Sequence, residues 1–276
     1  MPTLTDKALS APLKIVVLCD SGSGKTSALA SLVHAGYELF ILDFDNGTDI
    51  LSQLIRDPAL RKKVHVETLT DKGQLIGGGT GQKIAKMNPQ AFPKALNLLQ
   101  RWKDSHEGTD FGPVSSWGLD RVLVVDSLSF FGMAALDFVL ARNGRPSEQP
   151  WQSDWGEAMR MLEQALQIIY SEEIHCNVVM NTHIEYVTIE GITKGLPMGL
   201  GQKLPPKIGR YFNFMLMAKS RGTGDSTKRV LLTKPEANIE LKCPIISLKR
   251  ELPLETGLAE VFRAWRGGDM KAAAAQ

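Results

Sequence analysis

The sequence predicts an α/β protein with a mostly parallel central sheet flanked by helices and with C-terminal β-hairpins extending that sheet. Three observations predict it. Short apolar, β-branched-rich runs alternate with segments of helical period. Those runs lack the in–out alternation of a half-exposed strand, as expected where both faces of a parallel sheet are covered. The first run leads through a glycine loop straight into the first helical segment.

Taken in order, "KIVVLC" (14–19), "ELFILDF" (38–44), "RVLVVD" (121–126) and "CNVVMN" (176–181) are the expected central strands. A helix is expected from about Phe130 to Ala141, stopped at Asn143 and Gly144, residues suited to a left-handed helix end. Trp155, Met159, Leu162, Leu166 and Ile169 recur at helical spacing, with Asp154 and Glu157 as a capping box at the start. After Asn181 the texture changes. "HIEYVTIEGITKGLPMG" and "RVLLTKPEANIELKCPI" read as hairpins with glycine or Pro-Glu-Ala-Asn turns, and as extra strands of one sheet rather than a second domain. Residues 71–83 and 105–118 are loops by composition. The expected organisation is a flexible start (1–12), one domain (13–266) and a flexible tail (267–276).

Composition narrows the class. With 43% hydrophobic and 22% charged residues the 276-residue chain is an ordinary globular one. No apolar stretch suits a signal peptide or a membrane span, so a cytoplasmic location and no membrane partner are expected. Cys19, Cys176 and Cys243 stand far apart and form no C-x-x-C pair, which argues against a disulfide framework or zinc site. The net charge of +2 is uneven: residues 202–250 carry eleven Lys and Arg against Asp225, Glu236 and Glu240, a local excess of +8. Such an excess is read either as a solvated face or as an anion-binding surface.

"CDSGSGKTS" (19–27) carries the chemistry. In the pattern G-x-x-x-x-G-K-[ST], Cys19 takes the place of the first glycine and Gly24, Lys25 and Thr26 match the rest. Backbone amides of Ser21, Gly22, Ser23, Gly24, Lys25, Thr26 and Ser27 would wrap a phosphate at a helix start. Lys25 would reach the outer phosphates and Thr26 would hold Mg²⁺. Cys19 replaces only the residue leaving the strand, a tolerable change at negative φ. Asp126, ending an apolar strand, would complete the Mg²⁺ shell or cap the helix that follows. "LDFDNG" offers a carboxylate to position an attacking water: Asp45 is favoured, with Asp43 as buried support, against the alternative that Asn46-Gly47 makes this stretch a plain turn. Asn181, Thr182 and His183 end a third strand, where a polar side chain would sense the terminal phosphate, or where His183 is an ordinary strand-end histidine.

These motifs together resemble the RecA-like P-loop ATPases, most closely the short phage-encoded RecA-like/AAA nucleotide-binding proteins linked to single-strand annealing and recombination. The resemblance spans about residues 12–265 and rests on "SGSGKTS", "LDFDNG", "VVDSLS", "WQSDWGEAM" and "NTHIEYV". It implies ATP and Mg²⁺ as ligands, and Lys25, Asp45 and His183 as catalytic residues. It also implies Asp126 with Thr26 at the metal, and Asn181 to His183 as the sensor. Asp45 is one methylene shorter than the glutamate expected there, so a weak, DNA-stimulated ATPase is anticipated; mispositioning of about an ångström costs on the order of 10²-fold.

The resemblance further implies binding of single-stranded DNA by the segment after the sensor strand. Lys194, Lys203, Lys207 and Arg210 supply charge there, and Gly191, Gly195, Gly199 and Gly201 mobility. The competing reading is a flexible lid. Tyr211 and Phe212 could stack on bases but better fit the start of a buried strand. A homo-oligomer, ring or filament, would complete each site with a cation from the next subunit: Lys242, Lys249 or Arg250. A single-strand binding protein is a further expected partner, in the host cytoplasm if the protein is phage-encoded. The rival readings are a nucleotide-controlled switch or loader that recruits a helicase or single-strand binding protein with little turnover, and a small-molecule P-loop kinase with "KSRGTGDSTKR" as its phosphate lid.

Overall fold

The structure, a computed structural model, describes residues 11–77, 82–189 and 191–267. Apart from Ala11, Pro12 and Gly267, the expected flexible ends lie outside the described residues.

β1 (Lys14–Cys19) runs into the glycine loop and then two short helices, α1 (Lys25–Ala28) and α2 (Ala30–His34). β2 (Glu38–Asp43), α3 (Asp49–Leu54), α4 (Pro58–Arg61) and β3 (Val64–Thr68) follow. Two small hairpins come next, β4 (Gln74–Ile76) with β5 (Lys83–Ala85), and, across α5 (Ala91–Gln100), β6 (Trp102–Lys103) with β7 (Asp110–Gly112). The chain continues with β8 (Arg121–Asp126), α6 (Leu128–Arg142), α7 (Gln152–Tyr170), β9 (Asn177–Ile189) and β10 (Ile192–Pro197). Last are α8 (Pro205–Ile208), β11 (Phe214–Arg221), β12 (Lys228–Leu232), β13 (Glu251–Pro253) and α9 (Leu254–Trp265).

The main sheet has the order β13-β12-β11-β1-β9-β8-β2-β3, with β10 paired to the far end of β9. From β11 to β3 every neighbour is parallel, whereas β12, β13 and β10 are antiparallel additions. Period-two alternation explains why the central runs read as continuously apolar: both faces are covered. Val16, Leu18, Phe40, Leu42, Leu123, Val125, Val178 and Met180 face one core with residues of α5, α6 and α7. Ile15, Val17, Leu39, Ile41, Val122, Val124 and Val179 face the other, under α2 and α9.

Several local expectations need correction. β2 stops at Asp43, and Phe44 and Asp45 turn away with both their amides bonded to Asp126 O (2.7 and 3.2 Å), so a turn and not strand alternation aims Asp45. Asn46 sits at φ 53, in the left-handed region its type tolerates. α7 starts earlier than expected. Asp154 is its third residue rather than its cap, accepting from Trp151 N at 2.7 Å while the Arg145 guanidinium grips both its oxygens at 2.6 Å. The two stretches read as loops each contribute a short strand. β3 and α5 had no counterpart in the sequence reading. α6 ends as expected, at Asn143 with Gly144 at φ 70.

The glycines after β9 are not simply mobile. A methyl on Gly195 would come within 2.7 Å of Ile239, and one on Gly199 within 2.9 Å of Ile208, so both permit close packing. Leu200, Leu204 and Ile208 anchor the segment in the core, and Phe212 is buried too. The Tyr211 hydroxyl donates to Glu163 at 3.1 Å, which keeps that ring against α7.

Candidate nucleotide-binding site

The site forms beyond the carboxyl ends of β1, β2, β8 and β9, where an open parallel sheet places its ligands. Register brings the ends together: Cys19 lies beside His183, Asp43 beside Asp126, and Asp126 beside Asn181. The glycine loop closes with Gly22 at φ 78 and Gly24 at φ 93, conformations that a Cβ would strain. Cys19 keeps a negative φ and its thiol donates to Thr182 O at 3.4 Å, so the missing glycine leaves the loop's path intact. Burial pushes that thiol up to about 12, which keeps it neutral.

Lys25 is the hub. Its Nζ is ion-paired with Asp45 Oδ2, lies 3.7 Å from Asp126 Oδ1 and stands 3.3 Å from His183 Nε2. Burial alone would lower its pKa, but Asp126 and Asp45 outweigh that effect and hold the ammonium above its ordinary value. Thr26 Oγ1 donates to Asp126 Oδ2 at 2.6 Å. Asp126 is fully buried, and burial pushes its carboxyl above the usual range, with Lys25 and Thr26 opposing. Asp126 does not cap α6; Ser127 occupies that position.

Asp43 is buried and ties down the following turn, accepting from Thr48 Oγ1 at 2.8 Å and Gly47 N at 3.3 Å. Asp45 points into the site, its Oδ1 accepting from Ser127 N at 3.0 Å and Ser127 Oγ at 2.7 Å. Burial, then the charge of Lys25, lowers the His183 pKa and favours neutral imidazole. An ammonium only donates, so Nε2 accepts from Lys25 and the ring proton sits on Nδ1, 3.2 Å from Ser129 Oγ. Ser129 Oγ is 3.3 Å from Thr182 Oγ1, which donates to Met198 O at 2.8 Å. A connected line of polar contacts therefore runs from Lys25 to the root of the basic segment.

Ser127 and Ser129 orient Asp45 and His183, and the sequence reading missed them. Their signal was present in "VVDSLS", as small polar residues at a strand end where apolar ones would be expected.

The residues fit Mg²⁺. Asp126 Oδ1 and both amide atoms of Asn181 are buried without a hydrogen-bond partner of ordinary geometry, beside the Thr26 hydroxyl. Among the described residues no group of three His, Cys, Asp or Glu could hold a metal unaided. That is the pattern of an ion held by one carboxylate, one hydroxyl, water and phosphate oxygens.

A profile for a family described as AAA domain matches residues 11–243. The chain belongs to the AAA domain family. Its fold is α/β, a mostly parallel central sheet flanked by helices, with the glycine loop between the first strand and the first helix. Solved structures similar to this AAA domain include a KaiC-like protein from Pyrococcus horikoshii OT3 (10% identity, 87% of this chain and 84% of that one, TM-score 0.43). The RadB recombinase is 14% identical over 82% of this chain and 83% of its own, TM-score 0.45. The flagellar accessory protein FlaH from Methanocaldococcus jannaschii is 9% identical over 90% and 89%, TM-score 0.42. No curated protein matches the sequence. No helix among the described residues is long and apolar enough to cross a membrane.

The remaining expected site residues are dispersed. Lys194 is paired with Glu240 at 2.7 Å and Lys207 with Glu163 at 3.3 Å, whereas Lys203 and Arg210 are exposed without a partner among the described residues. Lys242 Nζ donates to Phe212 O of its own chain at 2.9 Å, and Arg250 reaches Pro235 O at 3.3 Å. Lys249 is exposed. Within "KSRGTGDSTKR", Lys219 and Arg221 are paired with Glu236 (3.1 and 2.9 Å), and Arg221 also with Glu251 (2.6 Å).

Proposed function

We propose that this ATPase binds Mg·ATP, assembles on single-stranded DNA as a ring or filament, and promotes annealing or strand pairing of the kind used in phage recombination or replication, with hydrolysis releasing it. The supporting observation is the polar line Lys25–His183–Ser129–Thr182–Met198, because it joins the phosphate end of the site to the segment carrying Lys203 and Arg210. Met198 N also donates to His183 O at 2.8 Å, so the strand end and the segment's root move together.

In this reading the glycine-loop amides and Lys25 hold the phosphates, while Asp126 and Thr26 hold Mg²⁺, which neutralises phosphate charge when bound. Lys25 exchanges Asp45 for phosphate oxygens. Asp45, still held by Ser127, then has Oδ2 free to orient and deprotonate a water. His183, having lost its contact with Lys25, passes the change through Ser129 and Thr182 to Met198. A cation from a neighbouring copy, Lys249 above all since its side chain has no partner among the described residues, would complete the site.

The test is ATP hydrolysis with and without single-stranded DNA, alongside particle imaging with a non-hydrolysable analogue. DNA-stimulated turnover and DNA-dependent assembly are expected; turnover indifferent to DNA removes this reading. One observation favours a second: both Asp45 oxygens are engaged, which suits a nucleotide-controlled loader with little turnover. A loader would bind nucleotide independently of DNA and hold a helicase or single-strand binding protein stoichiometrically.

A further inference from the structure

At the glycine loop, β12 lays Arg229 onto Gly24. A methyl on Gly24 would come within 3.1 Å of Arg229 Cδ, 3.7 Å of its Nε and 2.6 Å of Leu254 Cδ2, so only glycine lets the arginine stem lie this close. Among the described residues the Arg229 guanidinium has neither hydrogen-bond nor ion-pair partner. The nearby Glu251 is already spent on Arg221 at 2.6 Å. Beside it opens a cleft of about 570 Å³ lined by Thr227, Lys228, Arg229, Val230, Glu251 and Glu255. An unpaired cation held against an anion-binding loop, next to an open cleft, is arranged for an anionic ligand larger than one phosphate.

We propose that Arg229 is a second phosphate-binding cation of this chain, clamping the inner phosphates of a nucleoside di- or triphosphate whose nucleoside part occupies the adjoining cleft. The proposal rests on the nucleotide reading above and deepens it. Lys25 is surrounded by Asp45, Asp126 and His183 and serves the terminal phosphate; Arg229 is paired with none of the three and would serve ADP and ATP alike. Planar, always charged guanidinium suits two phosphate oxygens at once.

The test is titration of the wild-type protein and its variants with a fluorescent ADP analogue in the presence of Mg²⁺, with competition by pyrophosphate. Arg229→Gln keeps most of the stem that packs on Gly24 and removes the cation. It is expected to weaken ADP and pyrophosphate by a similar factor, about tenfold, with Arg229→Lys recovering part and thermal unfolding unchanged. Wild-type affinity in Arg229→Gln, or a loss confined to ADP with pyrophosphate unaffected, overturns the clamp while leaving the nucleotide site standing. No ADP binding by the wild type overturns both.

Discussion

The carboxyl edge of the parallel sheet and the basic face after β9 both present charged side chains, but on different physical terms. At the sheet edge Lys25 is 14% exposed, Asp45 13% and Asp126 fully buried, and each charge is committed to another. On the basic face the cations are half-buried or exposed, and some are cancelled by acids far away in sequence, such as Glu163 on α7. A buried charge persists only with a partner or a ligand, so the first region announces function by its composition. An exposed charge costs little to keep, so the second region announces only where an anion would be welcome.

The largest test of this contrast is Lys25→Ala. It removes the cation proposed to bind phosphate and strands two carboxylates, and kcat/KM for ATP is expected to fall by at least about 10³-fold in a phosphate-release assay. Asp45→Asn is expected to lower kcat by at least about 10²-fold while ATP affinity holds or rises, because Lys25 is no longer tied down; equal losses in kcat and affinity would make Asp45 a structural residue. On the basic face, Lys203→Ala with Arg210→Ala should weaken single-stranded DNA binding and reduce its salt slope by about 0.7 per lost phosphate contact. Lys194→Ala with Lys207→Ala, cations already paired, should do distinctly less. If both pairs matter equally, the division into free and cancelled cations fails.

Two smaller effects concern stability. The His183 pKa is lowered in the fold, so below about 6.5 the unfolded chain binds more protons than the native one and stability falls as pH falls. Thermal unfolding between pH 8 and 5 should show a shallower acid loss in His183→Gln. Breaking the partly exposed Lys207–Glu163 pair by Glu163→Gln is expected to cost about 0 to 1 kcal/mol in denaturant unfolding, the least of these changes.

The central strands and the glycine loop were legible because each is a contiguous stretch with a local cause. "KIVVLC" and "RVLVVD" are strands over the residues read, since being covered on both faces demands unbroken apolar side chains. β3 was harder: "VHVET" sits at the sheet's edge, where three of its five residues are half-buried, Glu67 is buried and Thr68 is exposed, so its pattern is mixed. Asp154 was misread as a cap because its bonds to Trp151 N and Arg145 lie partly outside any local motif. The +8 excess overstated the basic face because Glu163 and Glu251, which neutralise Lys207 and Arg221, lie beyond the segment counted.

From residue order alone came the α/β class, the phosphate loop and the identity of the acids at the strand ends, because these follow from local periodicity and from chemistry that needs particular side chains at short spacing. Folding was required to choose among them. It aims Asp45 rather than Asp43 at Lys25, sets Ser127 against Asp45 and Ser129 against His183, and carries Arg229 from more than two hundred residues away onto Gly24. Those relations depend on strand order and register, which bring distant segments within hydrogen-bonding reach and have no trace in the neighbouring sequence.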